Sequence, residues 1–168
     1  ITIARLDGEG RHSEIGVTLH HALYFLVVLS LLMISVCLFS GKYFLTYFIK
    51  SPDVLNACLE YLNVRAFGFL FVFVFVALRA FYTGISVTKV ISYAAALMAV
   101  VNFILNYCLI FGNYGFPKMG IAGSATASII SEALAAVFMI VYTVNNKKVQ
   151  RYNLLKFSVF NFNKFKSI

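Results

Sequence analysis

Charge is scarce in this sequence. Asp, Glu, Lys and Arg together make up 12% of its 168 residues, and only six residues are acidic. A water-soluble domain carries about 25% charged residues, so this chain cannot clothe a soluble surface. Cysteine is scarcer still in number. Cys37, Cys58 and Cys108 are odd in number and far apart, which excludes a disulfide framework and a metal knuckle and leaves free, buried thiols. No Gly-rich phosphate loop, nucleophile elbow or pair of catalytic carboxylates is present, so enzyme chemistry has no support and no catalytic or metal-binding residue is assigned. His12, His20 and His21 have no Cys or paired acid at ligand spacing and read as interfacial histidines.

What is there is apolar. Hydrophobic residues make up 61% of the chain and the mean hydropathy is +0.88, which describes an integral membrane protein. The net charge of +8 is scattered through loops and gathered near the C-terminal end. It lines no single face, which argues against nucleic acid and for loops that follow the positive-inside rule.

The apolar runs predict an all-α membrane protein with four spans, at about residues 19–39, 61–80, 89–111 and 120–143. Residues 1–18 read as a short flexible polar loop around Gly8 and Gly10, with a helix starting near Ser13. Ser51, Pro52 and Asp53 form a helix start. The run FLFVFVFVAL alternates Phe and Val like a strand, yet barrel strands alternate apolar with polar, and here no polar face intervenes. Residues 80–88 form a loop with Gly84 as its expected hinge, and 113–119 a tight turn around Gly115 and Pro117.

Residues 1–144 thus form the membrane unit. Residues 145–168 form a basic, aromatic segment, either lying on an anionic leaflet or linking to a further part. Four spans put both ends on one side. That side holds Arg5, Arg11, Arg79, Lys89 and the six cations after 145, ten in all, against Lys42, Lys50 and Lys118 opposite. The count predicts both ends cytoplasmic. The chain opens with ITIARL rather than Met and is expected to be a piece of a longer protein.

The few polar groups inside apolar runs are concentrated between 102 and 132. Asn102 and Asn106 are four apart and share a helix face that must turn inward. Gly120, Gly123, Ser124, Ala127, Ser128 and Ser131 make a stripe that lets another helix approach closely. Ser124, Thr126 and Ser128 offer hydroxyls, either as ligands or bonded to their own helix carbonyls. Glu132 is the one carboxylate deep in an apolar run. It either holds a transferable proton or pairs with Arg65 or Arg79.

The block NFILNYCLIFGNYGFPKMGIAGSATASIIS resembles the most characteristic segment of the multidrug and toxic compound extrusion (MATE) transporters: Asn, an Asn or Asp one turn later, LIFG, a turn ending in FP, then AGxAxAS. ARLDGEGRHSEIG and LRAFYTGISVTK are weaker echoes of the family's loops after its second and fourth spans. The resemblance implies twelve helices in two lobes, with this chain covering most of the first lobe, from the end of the second span through the sixth. It implies a secondary active antiporter of the inner (plasma) membrane that exports organic cations and drugs in exchange for sodium or protons by alternating access. No cofactor beyond the coupling ion is implied.

By the same resemblance, Asn102 and Asn106 match positions that help form a cation site, with a hydroxyl ligand nearby that is either Ser124 or Thr126. Two departures stand out. Several members carry Asp where this chain has Asn106, and the family's acidic residue on its first span falls outside this sequence. The missing helices and second lobe would be the obligatory partners, alongside membrane lipid and the transported cation, so the chain alone is expected not to transport. The rivals are a lipid-linked saccharide flippase of the same superfamily, which needs a cationic cavity, and a four-span structural subunit that moves nothing.

Overall fold

The computed structural model describes residues 2–146 together with 149, 152 and 154. Most of the basic segment after 145, including Lys147, Lys148, Arg151, Lys156, Lys164 and Lys166, therefore lies outside the described residues, and so do six of the ten cations behind the orientation count.

The elements run α1 (Thr2–Gly8), α2 (His12–Phe48), α3 (Pro52–Arg65), a 3₁₀ turn (Ala66–Gly68), α4 (Phe69–Gly84), α5 (Lys89–Phe111), a second 3₁₀ turn (Asn113–Gly115) and α6 (Gly120–Asn145). No strand occurs among the described residues, and the Phe/Val run lies within α4. Among the described residues four stretches are long and apolar enough to cross a membrane: His12–Phe48, Pro52–Gly84, Lys89–Phe111 and Gly120–Asn145.

The first of these is longer than the expected span of 19–39. At 37 residues α2 reaches about 55 Å, well beyond the ~30 Å of hydrocarbon. It runs through Gly41 because α3 packs there, so closely that a Cβ on Gly41 would lie 2.6 Å from Leu62 Cδ2. Residues 2–8 form α1 rather than a flexible loop, since Leu6 is buried and Arg11 N donates to Leu6 O at 2.9 Å to close the corner. Gly84 is no hinge. It ends α4 under α1, where a Cβ would meet Ile3 Cγ2 at 2.6 Å, and the chain reverses at Ser86 with φ 58°. Ser51 holds the cap position of α3 without a side-chain cap bond. His20 and His21 are buried among the helices at 7% and 0% exposure, and the His21 ring Nδ1 is 2.7 Å from Val17 O.

α6 is the hub, packing against α3, α4 and most extensively α5. α5 touches little else, so Tyr93, Val100, Phe103, Ile104 and Phe111 face outward. In a membrane such a face meets lipid or another helix. The α5–α6 turn begins at Gly112 in the left-handed region, φ 74°, where a side chain would press on the Lys118 backbone. Met119 N donates to Leu109 O at 2.8 Å. One turn into α6, Gly123 lies so close to that carbonyl that a Cβ would fall 2.7 Å from Leu109 O and 2.8 Å from its carbon. The small-residue stripe thus acts as a backbone-to-backbone seat.

Gly123→Ala should separate α5 from α6 and cost about 1–3 kcal/mol, read as a lower midpoint of unfolding in mixed micelles. A variant as stable as the parent would refute the close approach.

Candidate functional site

Close approach at Gly123 brings the amides of α5 within reach of the hydroxyls of α6. Asn102 Nδ2 donates to Ser128 Oγ at 3.3 Å and Ser131 Oγ at 3.4 Å. Both serines spend their own hydrogens on α6 carbonyls, Ser128 on Ser124 O at 3.1 Å and Ser131 on Ser128 O at 2.9 Å, so they are free to accept. Asn106 Nδ2 donates to Asn102 Oδ1 at 2.9 Å. The result is a one-way chain of hydrogen bonds from Asn106 through Asn102 into the α6 backbone. Each interhelical bond of this kind contributes about 0.6–1 kcal/mol in a membrane.

The chain leaves one group over. Asn106 Oδ1 is buried and has no hydrogen-bond partner among the described residues. A buried carbonyl oxygen without a donor is costly. It is also what a hard cation requires of a ligand.

The two hydroxyls that the sequence left undecided now separate. Ser124 is half-buried on the same side of α6 as Ser128 and Ser131, and its carbonyl accepts the Ser128 hydroxyl. Thr126 is two residues further, about 200° round the helix, and its Oγ1 donates to Ala122 O at 2.8 Å. It does not join the asparagines.

Glu132 belongs to a second cluster. It is one residue, about 100°, past Ser131, which turns it from α5 toward α3. There Arg65 grips it in a two-pronged contact, Nη1 to Oε2 at 2.9 Å and Nη2 to Oε1 at 2.6 Å. The side chains are 26% and 16% exposed. Of the two arginines considered, Arg65 is therefore the partner, while Arg79 is exposed.

Gly68, which sequence reading passed over, makes that pairing possible. A Cβ there would overlap Arg65 Nη1 and approach Ile129 Cγ1 at 3.1 Å and Glu132 Oε2 at 3.2 Å. The guanidinium lies across the bare Cα of Gly68, at the 3₁₀ turn that interrupts the α3–α4 helix. An arginine three residues before a glycine, in a helix that must cross lipid, was the available signal. Also missed was Tyr82, fully buried against Thr143 at 2.7 Å. The Thr143 hydroxyl donates to Met139 O at 2.7 Å, so the phenol must be the donor to Thr143. Among the described residues no group of three His, Cys, Asp or Glu side chains could hold a metal.

Comparison with known proteins places this geometry in context. The family model MatE matches residues 1–108, a stretch that takes in Asn102 and Asn106 and stops before α6. A probable multidrug resistance protein NorM of Listeria monocytogenes is 28% identical over 167 residues, 99% of this chain and 37% of that protein. Proteins of the same name from Agrobacterium fabrum and Bacillus anthracis are 27% and 26% identical, over 90% and 92% of this chain and 32% and 34% of their own lengths. The chain thus spans about a third of the length of the curated relatives it matches.

Arg65→Met or Glu132→Met alone strands a charge and should cost on the order of 3 kcal/mol. The double variant should cost clearly less than the sum, and Gly68→Ala should behave like Arg65→Met by pushing the guanidinium aside. Additive losses in mixed-micelle unfolding would show that the pair does not act as a unit.

Proposed function

Because the chain belongs to the MatE family, we propose that it is one part of a multidrug efflux transporter, an antiporter that exports organic cations in exchange for an inward-moving ion. The relatives it resembles along nearly its whole length bear the name of multidrug resistance proteins, which supports this reading. The helices here would form most of one lobe. The drug pathway would lie between this lobe and helices supplied by the rest of the protein, each side of the membrane gaining access in turn.

The observation that carries the proposal is the unpartnered Asn106 Oδ1 at the head of the hydrogen-bond chain. With Asn102 Oδ1 and the hydroxyl of Ser124, it offers neutral oxygens to a cation. This favours sodium over a proton as the coupling ion, because an amide carries no titratable proton. Glu132 is then a tie between α3 and α6 rather than a proton carrier, since both its oxygens are engaged by Arg65. The same engagement removes Arg65 from any phosphate-binding cavity, which weighs against a saccharide flippase. The chain would lie in the inner (plasma) membrane with both ends cytoplasmic.

Expressed alone in a drug-sensitive host, the chain should leave ethidium accumulation unchanged, and efflux by it alone would refute the need for partner helices. Within the complete transporter, Asn106→Leu should lower sodium-driven ethidium efflux at least about tenfold, the loss of roughly 1.4 kcal/mol of ion binding. Thr126→Ala should leave efflux near the parent level. Equal effects of the two substitutions would sink the assignment.

A further inference from the structure

Beyond the end of α6, one side chain meets the beginning of the chain. Tyr152, seven positions after Asn145, donates its phenolic hydrogen to Asp7 Oδ1 at 2.8 Å. Its side chain is 1% exposed and meets two rings edge-on, His12 at 5.2 Å and Phe81 at 5.6 Å between centroids. His12 Nδ1 lies 3.3 Å from the same Asp7 oxygen, so one carboxylate faces both groups. Val149 is 3% exposed and joins Leu6, Ile15 and Phe81 in the same buried cluster. Neither the cation pathway nor the Arg65–Glu132 pair uses any of these residues.

We propose that the α1–α2 corner is a docking site for Val149 and Tyr152, with Tyr152 on Asp7 as its latch. A buried phenol needs a partner for its hydroxyl, and a carboxylate is the strongest acceptor a side chain supplies. Phe81 and Leu6 provide the apolar seat, and Asp7 fixes which ring fills it. The latch joins residues 145 positions apart in sequence. It ties α1 to the end of α6 through side chains. A movement that lifts α1 from α4 must open the latch. The proposal is independent of what the protein transports.

The sequence contains no tryptophan, so Tyr152→Trp places a single reporter in the latch, and its indole N–H can still donate to Asp7. In detergent micelles its emission should be that of a buried indole, with acrylamide quenching rising several-fold when Asp7→Ala is added. Water-like emission from Tyr152→Trp in a protein of parental helix content would overturn the latch. A second measurement does not depend on the larger ring fitting. Tyr152→Ala should speed hydrogen exchange of the α1 amides at least about fivefold relative to the parent chain, while the middle of α6 stays unchanged. Unaltered exchange in α1 would equally overturn it.

Discussion

Hydrocarbon gives a polar group nothing to bond with, and the arrangement of α6 follows from that constraint. Asn102, Asn106, Thr126, Ser128, Ser131 and Glu132 each either bond their own helix or reach across to a neighbour. The reach is short because Gly123 lets α6 settle onto the Leu109 carbonyl of α5. Widen that seat, and the two long bonds from Asn102, at 3.3 and 3.4 Å, are the first to fail. The neutral network and the packing contact are thus one feature.

α6 keeps its polar chemistry on two flanks. Toward α5 lie neutral amides and hydroxyls; toward α3 lies a charged pair. The charged flank is locally complete, since the guanidinium fork matches both carboxylate oxygens and Gly68 leaves room for it. The neutral flank is not, because Asn106 Oδ1 is left over. This asymmetry is why the amides, rather than the lone acid, are the better place to look for a bound ion. The 3₁₀ turn at 66–68 lies between Arg65 and the start of α4, beside α6.

Much of this was legible in the sequence. Apolar runs of about twenty residues can only be helices in a membrane, and the i,i+4 spacing of Asn102 and Asn106 dictated a shared inward face. The stripe from Gly120 to Ser131 announced a close contact. What periodicity could not supply was the identity of each neighbour. Ser124 and Thr126 look equivalent in a list, and only the rotation of α6 about its axis puts one beside the serines of the network and the other, turned away, on the Ala122 carbonyl. Gly84 looked like a loop glycine because glycine is common in turns. It is needed instead for space beneath Ile3, a residue some eighty positions away. That His20 and His21 are buried was not legible either, because it takes α1 and α4 folding over the start of α2 to bury them.

Composition and hydropathy by themselves determined that the chain lives in a membrane, that it is helical, and that its polar residues face other helices, because these follow from the cost of exposing peptide and charge to lipid. Tertiary structure alone decided the partners: Arg65 rather than Arg79 for Glu132, Ser128 and Ser131 for Asn102, Asp7 for Tyr152. Partner choice depends on how helices distant in sequence are rotated and how closely they approach. Those quantities are set by the small residues at each contact, Gly41, Gly68, Gly84 and Gly123, whose role appears only once the opposing backbone or side chain is in place.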